Sequence, residues 1–220
     1  MIKKIINLTI YILRYFSIIK DFDYKVSKKI KFGSKNADKY FVKNLKKSKY
    51  YLEYGSGSST ILAKKYKKKF LSIETDKSFF RYMRNLRINE IVYANIGPTK
   101  YYSQPILPTL LLKNQIKKYA SKIEIFFKKF NRLPDLVLID GRFRVYVTLV
   151  VIYIFFIKNR KKKLTIIIDD YKYRKNYHRL RKFVKIKLVG RFGIISLNNK
   201  SKLNFAKMEK SFEEFILDYN

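Results

Sequence analysis

The sequence predicts an α/β fold: doubly wound, with a mostly parallel sheet of about seven strands, an antiparallel hairpin at one edge and helices on both faces. Three observations predict it. From Lys49 onward, short apolar runs alternate strictly with helical stretches, the pattern of βαβ units around a parallel sheet. The first run ends in a glycine-containing turn that opens a helix, and three later runs end in an acid. With 220 residues, 47% of them hydrophobic, the chain can bury one real core, which excludes wholesale disorder.

Residues 2–20 carry apolar residues at Ile5, Leu8, Ile12, Tyr15, Phe16 and Ile19, a helical spacing, with Lys3, Lys4, Arg14 and Lys20 making the helix basic and amphipathic. It can pack on the domain or lie on a membrane surface. Residues 21–48 are polar and Lys-rich and read as irregular with one short helix. Residues 1–48 are thus expected to be a basic helical extension ahead of a domain over 49–220. In that domain Tyr50–Glu53 is a strand, Ser58–Lys68 a helix, Phe70–Glu74 a strand, Lys77–Ile88 a helix and Ile91–Asn95 a strand. Pro98–Pro108 reads as a loop and Leu110–Phe130 as one long helix. Leu136–Asp140 is a strand, Val145–Lys158 a buried helix, Leu164–Asp169 a strand and Tyr173–Lys182 a helix. Val184–Val189 and Ile194–Leu197 suit a hairpin across Gly190–Gly193, and Phe205–Tyr219 a last helix.

Composition removes several function classes. There is no Cys, which excludes a disulfide scaffold, a zinc finger, an iron–sulfur site and a thiol nucleophile, and the single His excludes a multi-His metal site. The longest apolar run, Val145–Ile157, is shorter than the ~18–20 residues of a membrane span. No small-residue cleavage site succeeds the basic start, so the expected location is the cytoplasm, with peripheral membrane contact through residues 2–20 as an open alternative. Lys and Arg number 51 against 16 Asp and Glu, a net charge of +35. One reading is a polyanion partner. The other is codon bias, because Lys far exceeds Arg while Ala, Gly, Pro and Trp are scarce. Either way, weak and non-specific nucleic-acid binding is expected at low salt.

Three motifs carry chemistry. In Glu53-Tyr54-Gly55-Ser56-Gly57-Ser58-Ser59-Thr60 the glycines allow a tight turn and close approach of a ligand. The helix beyond offers free N–H groups to a carboxylate or phosphate. Glu74 comes 21 residues after Glu53, where such folds place an acid on ribose hydroxyls. Asp140, with Gly141-Arg142-Phe143-Arg144 after it, ends the fourth strand, and Asp169-Asp170 ends the fifth. The convergent acids can hold a hard cation, orient a substrate hydroxyl, cap a helix or pair with an Arg.

Glu53-x-Gly55-x-Gly57 together with Ser72-Ile73-Glu74 resembles the class I S-adenosylmethionine-dependent methyltransferases, which have a Rossmann-like fold. The resemblance spans Tyr50 to Leu197. It implies a cofactor set of Glu53, Gly55, Ser56, Gly57, Ser58, Ser59, Glu74, Asn95 and Asp140: the turn for the methionine part, Glu74 for the ribose, Asn95 beside the adenine. Ser59 stands where many members have a third glycine. The acids further resemble the cation-dependent O-methyltransferase branch, which implies magnesium or manganese on Asp140, Asp169 and Asp170. Arg142 departs from that branch, as a cation that can replace part of the metal's role or bind an anionic acceptor. The catalytic candidates are Asp140, Arg142 and the lone imidazole, His178, as a general base. Tyr171 and Tyr177 are expected at the acceptor cavity. The expected reaction is methyl transfer to an O or N of a small-molecule or saccharide-type acceptor. The alternatives are an inactive scaffold that binds a polyanion, and an RNA methyltransferase.

Overall fold

The computed structural model describes residues 2–100, 103–158, 163–198, 201, 203 and 205–216. The strands are β1 (Tyr50–Tyr54), β2 (Lys69–Glu74), β3 (Ile91–Tyr93), β4 (Leu136–Ile139), β5 (Leu164–Ile168), β6 (Lys187–Val189) and β7 (Phe192–Leu197). They form one seven-stranded sheet in the order β3-β2-β1-β4-β5-β7-β6. The first five are parallel. β7 runs antiparallel between β5 and β6, closing the edge as a hairpin. The fold class is the one the sequence predicts.

The helices are α1 (Ile2–Tyr15), α2 (Lys35–Lys47), α3 (Ser58–Lys65), α4 (Lys77–Asn85), α5 (Lys113–Ala120), α6 (Ile123–Phe130), α7 (Arg144–Lys158) and α8 (Phe205–Ile216). Two apolar clusters cover the two sheet faces. Strand alternation divides β1 between them: Leu52 and Tyr54 join the cluster with α5–α8, while Tyr51 faces α2–α4. α2 places Ala37, Phe41 and Leu45 in the second cluster, all fully buried. Residues before 49 therefore share a core with the sheet.

Three elements differ from the sequence reading. The long helix expected over 110–130 is a 3-10 turn, Thr109–Leu112, then α5 and α6 with a break between them. The buried Tyr54 hydroxyl fills that break, donating to the Ala120 carbonyl (2.6 Å) and accepting from the Ile123 amide (3.2 Å). A side chain inserted in the ladder interrupts a helix. Lys175–Lys182 is 3-10 rather than α. α3 stops at Lys65 because Lys67 turns left-handed, at φ 51°. Residues 217–219 of the last predicted helix lie outside the described residues. No helix among the described residues is long and apolar enough to cross a membrane.

Candidate functional site at the carboxyl edge of the sheet

Parallel register puts the functional candidates on one edge. Tyr54 pairs with Ile73 and with Ile139, and Ile139 with Ile168, so Gly55, Glu74, Asp140 and Asp169 all leave the sheet together. The first turn is held from two sides. The Gly55 amide donates to the Ile73 carbonyl (2.8 Å). At φ +93°, a Cβ on Gly55 would meet the Gly141 nitrogen at 2.8 Å. Gly55 is required by the backbone and by the neighbouring β4 turn. Gly141 is equally confined, since a Cβ there would strike the Tyr119 hydroxyl.

Gly57 is different. Its backbone is extended, and a Cβ added to it meets nothing within 4 Å. Open space over an N-terminal helix turn is what a ligand approaching the backbone needs. Gly57 caps α3, and the amides of Ser58 and Ser59 in the first turn have no partner inside the helix. The Gly57 amide donates to the Thr60 hydroxyl (2.9 Å), which in turn donates to Glu53. Glu53 also accepts from the Tyr51 hydroxyl (2.7 Å) and is fully buried. It therefore lies beneath the turn, with the Thr60 hydroxyl between it and the Gly57 amide. Sequence reasoning places Glu53 in the cofactor set and gives Thr60 no role, although a Gly-x-x-Thr at a helix start is a capping pattern.

Burial pushes the Glu53 carboxyl up to about 7, against hydrogen bonds from its hydroxyl neighbours, and burial likewise lifts the α4 cap Asp76 to about 6. An acid raised in the folded state holds its proton there longer than in the unfolded chain. Stability is then greatest below the ordinary carboxyl value and falls as pH rises through the raised one. Glu53→Gln keeps the shape and removes this titration. Melting temperature against pH is expected to flatten between about pH 4 and 7, with a change in slope integrating to about 3 kcal/mol. An unchanged slope would place the titration elsewhere.

Glu74 is nearly fully buried and accepts from the chain itself. Ser56 donates through its amide (3.0 Å) and its hydroxyl (2.5 Å), the amides of Thr75 (2.7 Å) and Asp76 (2.8 Å) donate from below, and the Ser103 hydroxyl donates at 3.0 Å. Ser56 thus holds Glu74 and is committed to it. Two of the five donors are hydroxyls, the groups a ribose diol can replace. Ser103→Ala frees one acceptor position. It is expected to strengthen S-adenosylmethionine binding a few-fold in calorimetry, where a contact needed by the ligand would weaken it instead.

The second half of the edge centres on Arg144, whereas sequence reasoning names Arg142 as the cation there. The buried Arg144 guanidinium donates to the carbonyls of Gly141 (2.9 Å), Asp169 (2.7 Å) and Asp140 (3.0 Å). It pairs with the carboxylates of Asp140 (2.9 Å), Asp170 (3.2 Å) and, at 3.9 Å, Asp169. Arg191, from the β6–β7 turn, pairs with Asp169 (2.8 Å) and Asp170 and donates to the Phe32 carbonyl. Burial works against the charge of Arg144, and Asp140 first among its neighbours outweighs it, so its pKa is raised. Burial and then Asp140 lift Asp169 to about 8, against the pull of Arg144 and Arg191.

This arrangement corrects the metal expectation. Asp140, Asp169 and Asp170 do converge, but around guanidinium groups. Among the described residues no group of three or more His, Asp or Glu stands ready to hold a metal ion. The donor set does not fit a divalent cation, and the balancing charge is Arg144 and Arg191 rather than Arg142. Arg142 is half-buried at the same turn. Its pKa is lowered by burial and by the neighbouring charges of Arg144 and Arg174.

Two further candidates serve other contacts. His178 Nε2 donates to the Tyr171 carbonyl (3.0 Å) and its ring lies 5.0 Å from that of Tyr171. A carbonyl only accepts, so this nitrogen carries the proton in the contact and is not the one available as a base. Tyr171 is fully buried against Gly193, and buried Tyr177 has Arg144 and Arg174 each at 6.0 Å from its ring. Asn95, exposed after β3, accepts at Oδ1 from Tyr15 (2.9 Å), Tyr93 (3.3 Å) and the Gly97 amide (2.8 Å).

A seven-stranded sheet of this order, with a glycine turn and an acid at adjacent strand ends, defines a doubly wound α/β fold, a class in which ligands bind outside the carboxyl ends of the strands. No family model matches the chain, and no curated protein matches it in sequence. Among solved structures it is similar to a methyltransferase-like protein from Silicibacter pomeroyi. That likeness covers 87% of this chain and 99% of that one, with a TM-score of 0.68 and 23% identity. It shows a shared fold.

Proposed function

We propose that this chain is a methyltransferase that uses S-adenosylmethionine. The observation that carries the reading is the open cradle at Gly57. The one exposed side of the turn has room above it, at a helix N-terminus, with Glu74 on the adjoining strand. The amides of Ser58 and Ser59 would hold the carboxylate of the methionine part. Glu74 would hold the ribose hydroxyls, and the segment from Ala94 to Gly97 would flank the adenine. When bound, the cofactor supplies an electrophilic methyl group for in-line attack by an acceptor O or N.

The chain's own residues hold and orient the partners of that attack, which supplies much of the rate in a two-substrate reaction. Glu53 and Thr60 fix the turn from beneath. Arg144 fixes the β4 and β5 ends together and pairs with Asp140, whose carboxylate would accept a proton from the acceptor. Arg142 lies at that end among other arginines, a setting that suits a carboxylate or phosphate on a small-molecule or saccharide-type acceptor. No step is assigned to a divalent cation.

Calorimetric titration of the full chain with S-adenosylmethionine tests the reading. Saturable 1:1 binding, competed by S-adenosylhomocysteine, is expected. No heat and no thermal stabilisation would favour the scaffold alternative, in which Glu74 stays committed to Ser56 and Ser103.

A further inference from the structure

Among the described residues, seven of the eleven exposed large apolar side chains gather in two segments. In and just after α1, Ile6 (53% exposed), Leu8, Phe16 and Ile18 (66%) face solvent. In the loop after β3, Leu107, Leu110 (64%) and Leu111 (66%) do the same. These seven are the majority of the large hydrophobic residues that stand exposed, so the exposure is local. The two segments are neighbours. Tyr15, at the end of α1, donates to Asn95, which accepts from Gly97, and a Cβ on Gly97 would touch Leu112 and Leu107.

α1 is pinned rather than loose. Arg81 forms a two-pronged ion pair with Asp21 (2.5 and 2.8 Å), Lys77 donates to the Tyr15 carbonyl (3.0 Å), and Arg14 lies 3.6 Å over Phe22. Those contacts use the end of the helix and leave residues 6–9 exposed.

Charge identifies the occupant. No acid occurs before Asp21 or between Glu90 and Glu124, while Lys3, Lys4, Lys20, Lys100 and Lys113 fall within or beside the two segments. A second copy of the chain would bring another +35 against the same face. Nucleic acid satisfies lysines but gives exposed leucines nothing to enter. Basic residues around exposed aliphatic ones match a surface with anionic headgroups over hydrocarbon. We propose that this face docks on an anionic lipid bilayer, bringing the β3 side of the sheet's carboxyl edge to the membrane.

Co-sedimentation of the full chain with vesicles tests this. Binding is expected to phosphatidylcholine vesicles containing about 30% phosphatidylglycerol and not to phosphatidylcholine alone. The pairs Leu110→Asp/Leu111→Asp and Phe16→Asp/Ile18→Asp, with fold checked by circular dichroism, are each expected to lower the partition coefficient about tenfold or more. The chain has no Trp, so Leu110→Trp gives a single fluorophore, whose emission is expected to shift to the blue on anionic vesicles. Failure to bind anionic vesicles overturns the proposal. So does binding that ignores both Asp pairs, or a bound Leu110→Trp protein with solvent-like emission, since charge elsewhere would then explain it. Single-stranded RNA whose affinity falls equally with the Asp pairs would reassign the face to nucleic acid. If the Asp pairs unfold the chain, the Trp reporter decides.

Discussion

Gly57→Val is expected to weaken S-adenosylmethionine binding at least about a hundredfold, close to 3 kcal/mol, while the fold survives. The reason is geometric. Gly57 has extended backbone and a Cβ there meets nothing within 4 Å, so a valine side chain starts in open space and enters the room the ligand needs. A change of a few degrees in melting temperature is expected, from placing a poor cap at the start of α3. Gly55→Ala is the contrasting control. Its φ of +93° and its 2.8 Å approach to Gly141 make that substitution a stability defect first and a binding defect second. Calorimetry together with thermal denaturation separates the two glycines. Wild-type affinity in Gly57→Val would remove the cradle from the site.

Arg144→Met is expected to be the most destabilising change at the edge. The methionine fills comparable volume but leaves three carbonyls without their guanidinium donor, Asp140 without its ion pair, and Asp169 and Asp170 with only Arg191 and, at 3.9 Å from Asp170, Arg174. Removing one partner of a buried charge network costs about 3–5 kcal/mol. For a chain of this length that is about 10 °C in melting temperature. The deficit should be largest above about pH 8, where Asp169 has lost its proton, and should shrink as that proton returns and relieves the repulsion among the acids. Arg144→Lys should recover less than half, because one ammonium cannot serve the fork of partners that a guanidinium reaches. A melting temperature within about 2 °C of wild type for Arg144→Met, well short of that expected shift, would mean the network contributes little to stability.

The legible part of the fold rests on periodicity and on where strands end. Apolar runs bounded by Gly55 or by Glu74, Asp140 and Asp169 identify four of the five parallel strands and the edge on which they end. The Gly190–Gly193 turn identifies the closing hairpin. The hidden part depends on contacts distant along the chain. Nothing local in 110–130 shows that the Tyr54 hydroxyl enters the backbone ladder between Ala120 and Ile123. Arg142 and Arg144 look alike in sequence, and only the packing of α7 against β4 and β5 makes Arg144 the buried one. The acids converge as the sequence implies, but their partner Arg191 is about 20 residues downstream on another turn. The polar segment 21–48 conceals how deeply α2 is buried because Phe41 and Leu45 are few among lysines, yet both are fully buried.

The most direct measurement of the central claim is a crystal structure of the full chain grown with S-adenosylhomocysteine. Density is expected over Gly57, with the ligand carboxylate on the amides of Ser58 and Ser59 and the ribose hydroxyls on Glu74 in place of the Ser103 hydroxyl. An empty cradle at saturating ligand, with Glu74 still holding Ser56 and Ser103, or density at any other edge of the sheet, would contradict it.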